Sequence, residues 1–486
     1  MNKEFKRISI VVLAMFLALF GSTTVIQVFQ ADTLAQDSRN TRTLYDSYQT
    51  QRGAILAGDT VLAQSTPTGD RYVYQREYPE GEMYSAVTGY FNPTQGSSGL
   101  EQTMNAYLSG TSNSQFLDML NQIIAGQDPK GAAVEVTIDP AVQKAAWDAM
   151  QGYQGGIVAI EPATGRILAM VTTPTYDPNT LAGHDSQKVI DAYKALNDDP
   201  ANPLFNRAIA GSQNPPGSTF KLVVASAAYA SGDYTPDSKL PNPQSYTLPG
   251  TSTKVYNSGR GTCGSGDEVS ISDAIRLSCN IPMAELGVKL GDDAIREAAE
   301  AYGFNDADLT IPLQCGTSTF PTGDLGDDET ALSSFGQASV KATPLQMAMV
   351  SAGIANEGTV MKPNLVDRVT GRNLEVLQSF TPEVYKEAVS PDVASDVAGS
   401  MVLSVRSGAA SNATIDGVSV AGKTGTAENG PDEPYSLWFT GFAPADNPQV
   451  AVAVVIEDGG GKGQSGSGNQ IAAPVAKKVI EAVLNE

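Results

Sequence analysis

Pro216-Gly217-Ser218-Thr219-Phe220-Lys221, running into Leu222-Val223-Val224-Ala225-Ser226-Ala227-Ala228-Tyr229, is the stretch on which the reading of this chain turns. The Pro-Gly pair signals a turn. The run after it is mostly apolar and predicts a buried helix. A helix that begins here sets the Ser218 hydroxyl and the Lys221 amine one turn apart on one face. That is a nucleophile beside a base. The serine would also sit at a helix N-terminus, where free backbone N–H groups face an anion.

A lone Ser-x-x-Lys carries little weight, because about one chance match is expected in a chain of this length. Two later motifs change its weight: Ser278-Cys279-Asn280, and Lys423-Thr424-Gly425 extended to Thr426. Singly, each has an ordinary explanation. Ser218 could cap a helix with Lys221 solvated, Asn280 could start a helix at Ile281, and Lys423-Thr424-Gly425 could be a strand ending in a turn. In this order, the three resemble the motif set of the penicillin-binding proteins and serine β-lactamases. Ser38-Arg39-Asn40 and Ser467-Gly468-Asn469 repeat the middle tripeptide, but outside the interval between the other two motifs.

Composition narrows the alternatives. The 486 residues predict two or three domains, and 41% hydrophobic content supports sizeable cores. A net charge of -22 argues against nucleic-acid binding, since a phosphate backbone would be repelled. His184 is the one histidine, in a polar loop sequence that reads as surface. A histidine-rich zinc site is excluded, and there is no Cys-x-x-Cys pair. A serine enzyme built from this chain therefore needs a base other than histidine, and Lys221 fills that role. Cys263, Cys279 and Cys315 are too few for a disulfide scaffold. Outside the cytoplasm a Cys263–Cys279 bridge would pin the Gly-rich loop before Ser278. A Cys279–Cys315 bridge and three free thiols remain open on the sequence.

Lys3, Lys6 and Arg7 precede an uncharged, mostly apolar run from Ile8 to Phe29. Its length suffices to span a bilayer, and the basic residues in front put the N-terminus in the cytoplasm. A cleaved signal peptide is the rival, but the region before Asp32 lacks a small-x-small site, so an uncleaved anchor is expected. Residues 1–30 are read as cytoplasmic tip and anchor. Residues 31–133 are polar, with short strands near Ala54-Ile55-Leu56 and Val61-Leu62-Ala63 and helices near Leu100–Leu108 and Gln115–Ala125: a small α+β domain. Residues 134–486 open on a strand from Val134 and a helix Ala141–Met150. A hairpin follows, Gly156–Ile160 and Ile167–Val171 about the turn Pro162-Ala163-Thr164-Gly165. Three later strands, Val418–Gly422 into Lys423, Leu437–Phe442 and Val450–Ile456, precede a helix Ala473–Leu484. The fold class is α+β. Hairpin and late strands can join into one five-stranded sheet covered by helices.

The resemblance implies that arrangement: the penicilloyl-serine transferase fold, an antiparallel sheet with a helical subdomain and the active site between them. It implies acyl transfer through an ester on Ser218, with Lys221 as the candidate base. Ser278 would relay a proton between Lys423 and the leaving nitrogen. Asn280 would bind the substrate's amide and orient Lys221. Thr424 and Thr426 would bind the substrate's terminal carboxylate, and Gly425 would let a chain approach the strand edge. The backbone N–H groups of Ser218 and Thr426 would form the oxyanion hole. No metal or organic cofactor is implied.

The resemblance extends upstream. Arg52-Gly53-Ala54-Ile55 is similar to the Arg-Gly-x-Ile stretch of class B penicillin-binding proteins, and Gly99-Leu100-Glu101 to their Gly-Leu-Glu motif. There Arg52 and Glu101 would brace the pedestal domain against the catalytic one. Ala57-Gly58-Asp59-Thr60 departs from the class's usual Asp-Arg-Asn-Gly. No glycosyltransferase domain is expected ahead of the catalytic one. With Ser-Cys-Asn in the middle motif, the chain is most like the PbpA-type enzymes of actinobacteria. The class's reaction is D,D-transpeptidation: D-Ala-D-Ala stem peptides of peptidoglycan are crosslinked with release of the last D-Ala, and β-lactams acylate the same serine. A SEDS-type membrane glycosyltransferase is the partner implied. A D,D-carboxypeptidase or β-lactamase, a non-enzymatic β-lactam sensor and a catalytically degenerate scaffold are the alternatives. The pedestal and anchor weigh against the first, the single span against the second, and the intact motifs against the third.

Overall fold

In the computed structural model, which describes residues 2–26, 50–70, 72–115, 130–210 and 213–485, the first element is helix α1, Asn2–Thr24. It is long and apolar enough over Lys3–Thr24 to cross a membrane, and over that span it is exposed. Most of the helix expected over Gln115–Ala125, and the region before Asp32, lie outside the described residues.

Strands β1 (Ile55–Ala57), β2 (Thr60–Pro67) and β3 (Tyr74–Glu77) form an antiparallel meander, and β4 (Ala133–Val136) pairs in parallel with β1. The helix expected over Leu100–Leu108 is broken at Met104 into Gly99–Thr103 and Asn105–Leu108. Helix α2, Pro140–Met150, follows; the Asp139 carboxylate caps it by accepting from the N–H groups of Ala141 and Val142. The hairpin is β5 (Gly155–Ile160) and β6 (Ile167–Thr173). Next come helices α3 (Lys221–Ala230), α4 (Ile271–Leu277), α5 (Ile281–Leu290) and α6 (Pro344–Ala355), and then β7 (Val366–Thr370) and β8 (Val376–Ser379). Helix α7 (Pro391–Ser407), β9 (Ala421–Ala427), β10 (Ser436–Ala443), β11 (Val450–Ile456) and α8 (Ala472–Leu484) complete the chain.

The central sheet has five strands in the order β9-β10-β11-β5-β6, every pair antiparallel. Every residue of β10 and β11 is buried, because both faces are covered. Helices α2 and α8 close one face, where Val142, Ile157, Phe439, Val452 and Val479 share a core. Helix α6 and the turn Gly217–Phe220 that leads into α3 close the other, with Phe220, Met347 and Trp438. The early hairpin and the late strands thus meet through β11 and β5, as their patterning predicts.

The second sheet has the order β8-β7-β4-β1-β2-β3. Strand β4, read from sequence as the opening of the catalytic segment, is hydrogen-bonded within this pedestal sheet, between β1 and the much later β7. Its apolar pattern was legible, but its partners lie in opposite directions along the chain. The seam to the rest of the molecule is held by side-chain amides. Gln143 Nε2 donates to the Met83 carbonyl at 2.8 Å and the Met170 carbonyl at 3.0 Å. Asn179 exchanges hydrogen bonds with both backbone groups of Tyr78 at 2.9 Å. Arg52 and Glu101 do not brace that seam. Arg52 Nη2 meets Glu101 Oε2 at 2.7 Å and Arg76 Nε meets Glu101 Oε1 at 2.5 Å, all buried inside the pedestal. His184 is not a free surface residue either; its ring nitrogens meet Asp70 Oδ2 at 2.7 Å and the Tyr74 carbonyl at 3.1 Å.

Candidate active site

The predicted helix start at Ser218 is a 3-10 turn, Gly217–Phe220, that continues into α3. Gly217 has φ +54, a left-handed conformation that suits glycine, and its N–H donates to the Gly336 carbonyl at 2.9 Å. Trp438 Nε1 donates to the Pro215 carbonyl at 2.9 Å. Phe220 packs on Phe304 and Phe320 beneath the turn. The serine therefore sits on a short segment fixed from β10, from the Gly336 loop and from the core.

Ser278-Cys279-Asn280 is the whole link between α4 and α5. Ser278 ends α4 in the left-handed region, φ 63 and ψ 40, which costs a non-glycine residue about 1 kcal/mol. This turn aims the Ser278 hydroxyl at β9 and its carbonyl at α3. Asn280 occupies the cap position of α5 but makes no side-chain cap bond. Its Oδ1 accepts from Lys221 Nζ instead, at 2.8 Å.

Lys221 is fully buried, and its Nζ lies 2.9 Å from Ser218 Oγ, 2.9 Å from the Ser278 carbonyl and 2.8 Å from Asn280 Oδ1. The last two groups only accept. A neutral amine has two N–H bonds and one lone pair, so the two acceptors take its protons and the lone pair faces the Ser218 hydroxyl. Burial, and then the nearby Lys423 cation, hold the Lys221 pKa well below the ordinary lysine value. Lys423, also fully buried, donates to Ser278 Oγ at 2.7 Å and to the Thr424 carbonyl at 2.9 Å. Burial lowers its pKa to about 7. No carboxylate contributes to either shift. Ser218, Lys221, Ser278, Asn280 and Lys423 thus form one connected network from three separate stretches of chain.

The remaining predicted residues lie on β9, the free edge of the central sheet. Thr424 Oγ1 donates its proton to the Ala409 carbonyl at 2.9 Å, whereas Thr426 Oγ1 accepts from the Gly468 N–H at 3.3 Å and keeps its own proton to give. Thr426 is exposed and Thr424 buried. A Cβ on Gly425 would come within 2.8 Å of the Pro216 carbonyl, so the backbone that approaches this glycine is the turn before Ser218. A Cβ on Gly217 would lie 3.3 Å from the Thr426 carbonyl carbon, which puts the Thr426 backbone beside the Ser218 turn.

Cys263 and Cys279 are joined as a disulfide with Cα atoms 5.6 Å apart. Cys315 is free and buried, its thiol pKa pushed up to about 12 by burial. Among the described residues no cluster of side chains suits a metal ion. Asn257 and Trp438 support the site but follow no motif; Trp438 gives no signal beyond its place in a strand.

The chain is similar to known proteins. Residues 155–481 match the penicillin binding protein transpeptidase domain, and residues 52–134 match the penicillin binding protein A dimerisation domain. The chain is 42% identical to the peptidoglycan D,D-transpeptidase PbpA of Mycolicibacterium smegmatis over the whole of both chains. It is 40% identical to PbpA of Mycobacterium tuberculosis, covering 100% of this chain and 99% of that one. The imipenem acyl-enzyme complex of penicillin-binding protein A from M. tuberculosis is similar in structure, with a TM-score of 0.86 at 39% identity over 91% of this chain and 100% of that one.

Proposed function

The chain belongs to the penicillin-binding protein transpeptidase family, and we propose that it works as a peptidoglycan D,D-transpeptidase whose acyl-enzyme forms on Ser218. The observation that carries the residue assignment is the contact of a buried lysine, Lys221, with Ser218 Oγ at 2.9 Å, its other contacts being pure acceptors.

Lys221 takes the Ser218 proton as Oγ attacks the carbonyl of the penultimate D-Ala. The oxyanion rests on the N–H groups of Ser218 and Thr426; such donors are worth about 3–4 kcal/mol each. The C–N bond then breaks. Ser278, hydrogen-bonded to Lys423, passes a proton to the leaving nitrogen, and D-Ala departs. A neighbouring stem's amine attacks the ester and gives its proton to the Ser278–Lys423 pair, which acylation left one proton short; the ester C–O bond breaks, the new amide forms, and Ser218 regains its hydrogen from Lys221. Asn280 orients Lys221 and the donor's amide. Thr426, with Thr424 and Gly425 on the same edge, receives the terminal carboxylate. β-Lactams enter as the donor does and stop at the ester.

We further propose three functional segments: an anchor over 1–30, a pedestal over 31–133 and the transpeptidase over 134–486, the last lending β4, β7 and β8 to the pedestal sheet. Lys3, Lys6 and Arg7 support an orientation with the catalytic segment outside the cytoplasm. A SEDS-type glycosyltransferase is the proposed membrane partner. The test is incubation of the detergent-solubilised full chain with nascent peptidoglycan strands. Release of D-Ala with crosslinked dimer, absent from Ser218→Ala, is expected. D-Ala release with only trimmed stems would make the protein a carboxypeptidase.

A further inference from the structure

Asn280 serves Lys221 with the oxygen that a helix N-cap residue ordinarily turns on its own helix. The N–H groups of Asn280 and Ile281, at the head of α5, need an acceptor of their own. That acceptor is Asn257: its Oδ1 accepts from the Asn280 N–H at 2.9 Å and from the Ile281 N–H at 3.1 Å. Asn257 is buried, and its Nδ2 donates to the Gly261 carbonyl at 3.0 Å, which fixes the direction of the amide. The preceding residue completes the grip, since Asn280 Nδ2 donates to the Tyr256 carbonyl at 3.1 Å. The same two stretches are tied again by the Cys263–Cys279 bridge.

We infer that Asn257 is a positioning residue for acylation: by accepting from the Asn280 and Ile281 N–H groups it fixes the backbone from which Asn280 Oδ1 reaches Lys221. The inference rests on the assignment of Ser218 and Lys221 above. Without Asn257, the Asn280 and Ile281 N–H groups lose their acceptor, and the backbone that carries the Asn280 side chain is free to turn. Each such turn takes Oδ1 off Lys221 and releases the amine from its seat beside Ser218. The carboxylate contacts proposed at β9 are left in place.

The test is the acylation of the full-length protein by benzylpenicillin, resolved into the binding constant K and the acylation rate k2, with adduct mass giving the fraction of molecules that react. Asn257→Ala is expected to lower k2 by about 10- to 100-fold, as for a small misplacement of a reacting group, with K shifted far less because only the amide contact of Asn280 is disturbed. Asn257→Ser, whose hydroxyl is a shorter acceptor, should fall between Asn257→Ala and the wild type, and it carries the test if the alanine variant does not fold. In an Asn280→Ala background the Asn257→Ala step should shrink to less than about threefold, because the group it positions is gone. A k2 for Asn257→Ala within threefold of wild type, or a loss that persists undiminished without the Asn280 side chain, would overturn the inference. Wild-type protein that never labels at Ser218 would instead break the assignment beneath it.

Discussion

Among the described residues stand two pairs of buried cations, and their neighbours separate them. In the pedestal, Arg52 and Arg76 close on the Glu101 carboxylate. Burial alone would raise the Glu101 pKa, but the two guanidinium groups overcome that and hold it below the ordinary carboxylate value. One carboxylate bridges both guanidinium groups, so each cation has a counter-charge in contact, and the cluster is a fastener. In the catalytic segment, Lys221 and Lys423 are buried with hydroxyl, carbonyl and amide acceptors and no carboxylate. Without a counter-charge, burial is relieved by giving up protons, and the result is an amine able to act as a base near neutral pH. Arginine suits the first task because it keeps its charge, and lysine the second because it does not.

The comparison can be broken at each cluster. Lys221→Ala should slow benzylpenicillin acylation by about 1,000-fold or more, near the upper range of general base catalysis. Normal turnover in that variant would end the base assignment. In the wild type, the acylation rate should rise with pH as Lys221 loses its proton and level off well below 10.5. Lys423→Gln removes one cause of the depression, so the Lys221 pKa rises and the inflection moves to higher pH.

Glu101→Ala leaves two guanidinium groups buried without their carboxylate and should destabilise the fold by about 3–5 kcal/mol, read by denaturant unfolding. The acylation rate of the folded molecules should stay near that of wild type. A large loss of rate per folded molecule would join the two clusters functionally. Cys263→Ser opens a bridge of sequence separation 16 and should cost about 3 kcal/mol under oxidising conditions. An unchanged melting temperature would count against the bridge. The smallest effect separates the threonines of β9. Thr426→Val should weaken capture of a carboxylate-bearing substrate about tenfold, roughly the loss of one charged hydrogen bond. Thr424→Val should do less, because its proton already goes to Ala409.

The same contrast explains what could be read in advance. Motif order was enough to bring Ser218, Lys221, Ser278, Asn280 and Lys423 together, since each is a chemically marked residue. The central sheet was also legible, because β5, β6, β10 and β11 are long apolar runs. The pedestal sheet was not. Its strands are short, and β4 completes it only by pairing with β7, more than two hundred residues away. Supporting residues were hidden for a related reason. In sequence, Asn257 is a polar residue in a Gly-rich loop, and only the folded link between α4 and α5 makes it an acceptor.

The most direct test of the uncompensated-lysine account is intact-mass analysis, with peptide mapping, of the full-length protein and Ser218→Ala after exposure to benzylpenicillin. The account predicts one stable adduct of one penicillin mass, on Ser218 and on the unsubstituted protein alone. An adduct on another residue, equal labelling of both proteins, or none on either with penicillin left intact would contradict it.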